Sequence, residues 1–320
     1  MVWDDRSAGY RDIHGRRYDD DGTIGAEFVV DTNSLINYHP TVAALGNGSF
    51  VVVWYDENGA HDIHGRRYDD DGTMGAEFVV DTNSLINYFP TVAALGNGSF
   101  IVVWEDRSAD HDIHGRRYDG NGTVGAEFVV NTNALDNYWP HVAALGNGSF
   151  VVVWYDETGA HDIHGRRYDD DGTIGAEFIV DTNSLLNYVP KVAALGNGSF
   201  VVVWYDGSGG NQNIHGRRYD DDGTIGAEFI VDTNSLVNYD PHVAALGNGS
   251  FVVVWWDGSG GNIHGQKVKN CFVYGLLIHY PHEGQIGRIG LLFSAFLFII
   301  FLLLLQIYVA FFECIFYSIF

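Results

Sequence analysis

The chain has 320 residues, enough to bury a core without disulfide or metal staples, and a formal charge of −24 from 41 acidic against 17 basic residues. So acidic a surface repels phosphate backbones and excludes nucleic-acid binding as a role. The two cysteines, Cys271 and Cys314, follow all the repeated sequence described below, which rules out a disulfide framework or a cysteine zinc site within it.

The opening Met1-Val2-Trp3-Asp4 has no basic segment followed by an apolar one, so no secretory signal is visible there. It enters in the middle of a repeating unit, as a fragment would. Ile-His-Gly recurs from Ile13, Ile63, Ile113, Ile163, Ile214 and Ile263, and a tryptophan closes an apolar run at Trp3, Trp54, Trp104, Trp154, Trp204 and Trp255. Length changes fall between that tryptophan and the next isoleucine, which marks the segment as a surface loop.

One unit predicts four short strands. Pro40 to Leu45 is the first, and the Asn-Gly turn after Gly46 is a hairpin signal. Phe50 to Trp54 is the second and is apolar on both faces, so something must cover each side. A polar loop leads to the third, Ile63 to Tyr68. The turn Asp69-Asp70-Asp71-Gly72 reverses the chain into the fourth, Glu77 to Asp81. Four antiparallel strands in about 50 residues is the arithmetic of a β-propeller blade, with an open stack of the same units as the rival. The expected fold is all-β: a propeller-like ring of four-stranded antiparallel blades, five or six in number, followed by one C-terminal hydrophobic helix. Six tryptophan strands occur, but only five first and five fourth strands.

The expected organisation is a repeat domain over 1–269, a linker over 270–289, a hydrophobic helix over 290–312 and a short tail over 313–320. The 23 residues from Gly290 to Phe312 carry no charge and would span about 34 Å as a helix, enough to cross a bilayer. They read as a membrane anchor or as an out-of-frame tail, since the repeat breaks off near Gln266.

The repeat string Phe-Val-Val-Val-Trp, Ile-His-Gly-Arg-Arg-Tyr-Asp, Gly-Ala-Glu-Phe-Val-Val-Asp-Thr-Asn and Pro-x-Val-Ala-Ala-Leu resembles a tandem repeat of large bacterial surface and secreted proteins of the RTX-adhesin kind. The resemblance implies an extracellular or cell-surface role in adhesion or recognition of a protein or glycan. The chain has no Gly-Gly-x-Gly-x-Asp calcium nonapeptide and departs from the family pattern at His64 and Arg66.

Candidate sites follow from the repeated polar residues. Asp19, Asp21, Asp69, Asp71, Asp169, Asp171, Asp220 and Asp222 sit in acidic turns and are weak calcium candidates, since calcium needs six to eight oxygens and such a turn is short. The repeated histidines read as structural. Adjacent arginines such as Arg66 and Arg67 point to opposite faces of their strand, so one meets a neighbouring blade, with Asp56 as its expected partner. No nucleophile elbow, phosphate loop or zinc-protease motif is present, and each polar group recurs in every copy, whereas catalysis needs an asymmetric set. The expectation is therefore a chain that is not an enzyme and holds no cofactor. The runner-up role is a carbohydrate-binding lectin with one shallow pocket per blade; such pockets need exposed aromatics, and the blade-variable residue before each proline (His39, Phe89, Trp139, Val189, Asp240) supplies one only sometimes.

Overall fold

A computed structural model describes residues 1–269, apart from 7–10, 20, 32–35, 47, 58–60, 82–85, 109–110, 133–135, 158–160, 182–185, 208–211, 233–236 and 259. The linker, hydrophobic segment and tail expected beyond residue 269 lie outside the described residues. Among the described residues no helix is long and apolar enough to cross a membrane.

The repeat forms six antiparallel sheets. Blade 1 has three strands, Val2–Asp5, Asp12–Tyr18 and Ile24–Val29. Blade 2 has all four, Asn37–Gly46, Ser49–Asp56, Ile63–Tyr68 and Met74–Val79. Blades 3, 4 and 5 repeat that order from Asn87, Asn137 and Asn187, with fourth strands reduced to Phe178–Ile179 and Phe229–Ile230 in blades 4 and 5. Blade 6 has three, Asn238–Gly247, Ser250–Asp257 and Asn262–Val268. Among the described residues the sheets number six, and the first and sixth have three strands each. The hairpin between first and second strands turns on Asn97-Gly98 and its equivalents, where both residues have positive φ (52° and 75°) as a two-residue primed turn demands.

The doubly apolar second strand is covered on both faces. Val51, Val52, Val53 and Trp54 are each 0% exposed. Val51, Val53 and Tyr55 of blade 2 pack on Phe100, Val102 and Trp104 of blade 3, and the same pairing of faces recurs at the next blade junctions. Each such side chain removed from water contributes about 1.5–3 kcal/mol before entropy is charged. The outer blades keep one open face each: Val254, Trp256 and Ile263 of blade 6 are 37%, 40% and 72% exposed, while Tyr18 of blade 1 is exposed where Tyr68 is buried.

Polar chains stitch the blades together. Asp81, just past the fourth strand of blade 2, accepts bonds from the Ile63 amide (2.7 Å) and from Asn87 Nδ2 of blade 3 (3.1 Å). Asn87 Oδ1 in turn accepts the Trp104 indole N–H at 3.1 Å. Burial pushes the Asp81 carboxyl up to about 6. Arg66 reaches back to the Val30 carbonyl of blade 1 (2.6 Å), and Arg67 reaches forward to the Gly98 carbonyl of blade 3 (2.9 Å). The two arginines do face opposite blades, but the expected Asp56 partner is wrong. Arg66 pairs with Glu77 at 2.8 Å, because the two are directly opposed in the strand register, and Asp56 is taken by His64 at 3.1 Å. Gly65 is required for packing: a Cβ there would lie 2.5 Å from the Phe78 ring that covers it.

Candidate functional site

Copies this similar differ most usefully where the first strand bends. In each of blades 2 to 6 its register slips between the tyrosine and the second residue after it but one, for example between Tyr38 and Thr41. The residue before the proline is held at left-handed φ: His39 47°, Phe89 49°, Trp139 52°, Val189 50° and Asp240 46°. For a non-glycine residue this conformation costs about 1–3 kcal/mol, and for β-branched Val189 it is a true outlier. Strain repeated in every inner strand supports a hypothesis of function at that bend.

The bends meet at one cavity of about 340 Å³, lined by residues from the first strands of all five of these blades. This convergence on an axis distinguishes a propeller from an open stack. Within the first strand, the residues flanking the prolines are the ones that vary: His39, Phe89, Trp139, Val189 and Asp240 before, Thr41, Thr91, His141, Lys191 and His242 after. All but His141 line the cavity. Two chemistries result. Phe89 and Trp139 stack with centroids 4.1 Å apart, and His39 meets Phe89 edge-on at 4.7 Å. The lining also has polar residues, Lys191, Asp240 and His242 from blades 5 and 6.

The asymmetry extends behind the wall. Glu105 stands where other blades carry Tyr55, Tyr155, Tyr205 or Trp256. It is fully buried, pairs with Arg107 and accepts the Trp139 amide at 3.1 Å. Burial raises its carboxyl pKa, and Arg107 opposes that shift. The Arg107 guanidinium lies over the Tyr88 and Phe89 rings, at 4.5 and 5.3 Å. Blade 1 has the related pair Asp4 and Arg6 at the same repeat positions, 3.1 Å apart and more exposed, whereas the buried pair of blade 3 braces both members of the aromatic stack.

Burial lowers the His39, His141 and His242 pKa values, with the Lys191 charge adding to the effect. Burial likewise brings Lys191 down to about 8, against the opposing charge of Asp240. The His39 and His242 imidazoles of the lining are therefore neutral near pH 7, beside Lys191 and Asp240.

The sequence singled out the residues before the prolines, and all five line this cavity. It missed Lys191 and His242, whose signal was available: their positions also vary from copy to copy. The acidic turns are elsewhere. Asp21, Asp71, Asp171 and Asp222 are exposed, and each accepts the amide of the threonine two residues on at 2.7–2.8 Å, which lowers its pKa. Asp19, Asp69, Asp169 and Asp220 close the same turns through their backbone. None of the eight lines the cavity.

Among the described residues, one group has metal-ligand spacing, Asp156, Asp162 and His164, with ligand atoms within 4.8 Å of one another. His164 bridges Asp156 (2.9 Å) and Glu177 (3.0 Å). Burial alone would depress its pKa, but the two carboxylates outweigh it and lift it to about 9. The same histidine–carboxylate ladder recurs in the other blades, as a structural element of the repeat does.

No family model matches the chain, and no curated protein matches it. The resemblance to bacterial surface repeats stands on the repeat residues alone. Solved structures do match. The chain is similar to a Hadza microbial sialidase, Hz136, at 14% identity and TM-score 0.55, over 81% of this chain and 59% of that one. It is similar to the NanB sialidase of Streptococcus pneumoniae at 11% identity and TM-score 0.52, over 80% and 62%. A fungal lectin from Aleuria aurantia, described as a six-bladed β-propeller, is 14% identical at TM-score 0.49, over 83% and 89%. The chain thus spans less than two thirds of the two sialidases it matches. The likenesses to the two sialidases show a shared fold. They also correct the expectation that the chain is not an enzyme. That expectation rested on the symmetry of the polar groups, yet this fold carries enzymes and the axial cavity is asymmetric.

Proposed function

We propose that the chain is a β-propeller binding module that takes a carbohydrate in its axial cavity, in the service of recognition or adhesion. One observation carries this reading: the positions at which an otherwise uniform first strand varies gather around a single cavity. Its volume lies in the range of small-ligand sites, about 300–1,000 Å³. The stacked Phe89–Trp139 pair offers a platform for the apolar face of a sugar ring, and Asp240, His242 and Thr91 offer partners for hydroxyls. The surface-protein resemblance suits this role.

A glycan array probed with the full chain and with Trp139→Ala tests it. The full chain should retain a small set of glycans, and the variant should lose about tenfold or more in affinity for them, as expected for an aromatic anchor. Retention of no glycan, or equal binding by the variant, would count against the proposal.

A further inference from the structure

We infer that the axial cavity selects a ligand that carries a carboxylate beside a flat or apolar face, with Lys191 Nζ holding the carboxylate. This rests on the cavity being a glycan site and names the class of glycan: an acidic sugar.

The first argument is comparative. The residue after the proline is Thr41 in blade 2, Thr91 in blade 3, His141 in blade 4, Lys191 in blade 5 and His242 in blade 6. Threonine in two blades shows that the bend needs no charge to form, so the lysine is not there for the fold. Lys191 is also the one lysine or arginine among the described residues lining the cavity.

The second argument is energetic. A partly dehydrated ammonium is costly unless something compensates it. This chain has 41 acidic residues from which to supply a counterion. Arg66, Arg116 and Arg166, buried at the blade junctions, all receive carbonyl or carboxylate partners. Lys191 forms no ion pair among the described residues, and Asp240 acts on it only through its field. A carboxylate brought by a ligand would complete the site.

The third argument concerns the rest of the ligand. Lys191 and the Phe89–Trp139 stack line the same cavity, so a ligand there can turn an apolar face to the stack and a charged group to the lysine. Asp240 remains as an acceptor for hydroxyl donors, which a sugar acid has and a fatty or simple aromatic acid lacks.

Every titratable group around the cavity bears on the pH dependence. His39, His141 and His242 are already neutral at pH 7 because burial depresses them, and Asp240 belongs to the opposite sign of charge. Between pH 7 and 9 the group that changes is Lys191, which titrates near 8. Carboxylate selectivity should be present at pH 7 and fade by pH 9.

The test measures binding of methyl β-glucuronide and methyl β-glucoside to the full chain and to Lys191→Thr, the residue blades 2 and 3 already tolerate. The expected result is that the full chain binds the glucuronide about tenfold more tightly than the glucoside at pH 7, the size of one charge-assisted bond. That preference should shrink at pH 9 and vanish in Lys191→Thr. Equal affinities at pH 7, or a preference that survives in Lys191→Thr, would overturn the inference and leave the glycan reading intact. Binding of neither sugar would overturn the inference, and the glycan array decides the glycan reading separately.

Discussion

Truncation of Trp104 to alanine is expected to cost about 3–5 kcal/mol of folding stability, the range for a large buried aromatic. Trp104 is fully buried between blades 2 and 3, packed among Val51, Val53 and Phe100. Its loss opens a cavity at a junction both of whose walls are made of β-strand, which relaxes little. It also deprives the buried Asn87 Oδ1 of the indole N–H, within the chain of bonds that runs from Asp81 to Trp104. Chemical denaturation of the full chain reads the change as a lower midpoint. A loss below about 1 kcal/mol would contradict close stacking of blades 2 and 3.

Arg66→Ala is expected to be comparably damaging, at about 3–5 kcal/mol, because it breaks a buried pair and leaves its partners uncompensated. Arg66 is 2% exposed and satisfies both the buried Val30 carbonyl of blade 1 and Glu77 of its own blade. The molecule supplies its own control. Arg16 is the same residue of the repeat in blade 1, makes the same pair with Glu27 at 2.9 Å, but lies on the open face. Arg16→Ala should cost no more than about 1 kcal/mol, as exposed ion pairs do. Equal costs for the two substitutions would mean that the blade junction contributes nothing to the value of the bond.

Much of the fold was legible in the sequence because the repeat multiplies each local signal. The apolar run Phe50 to Trp54 announced a strand covered on both faces, and the counts of first, second and fourth strands match the six sheets. The bend at the prolines was not legible. A register slip and a left-handed residue at Val189 or Trp139 oppose local propensity, and only packing around the axis pays for them. The Arg66 partner was misread for a related reason: Asp56 looked close along the chain, but cross-strand register places Glu77 opposite. The site was half visible. A search for exposed aromatics found Phe89 and Trp139, while Lys191 passed unnoticed because nothing in the sequence says that five first strands share one cavity. The inference against catalysis failed on the same point, since symmetry of the repeated groups says nothing about the residues that break it.

The central claim is that the axial cavity is where the ligand sits, and hydrogen–deuterium exchange of the full chain with and without a glycan selected on the array tests it most directly. Saturating ligand should slow exchange in the inner-strand peptides that contain Phe89 to Thr91, Trp139 to His141 and Val189 to Lys191, and leave the turns at Asp69 to Thr73 and Asp169 to Thr173 unchanged. Protection confined to those turns, or to the exposed face of blade 6 around Trp256, would place the ligand outside the cavity and contradict the account.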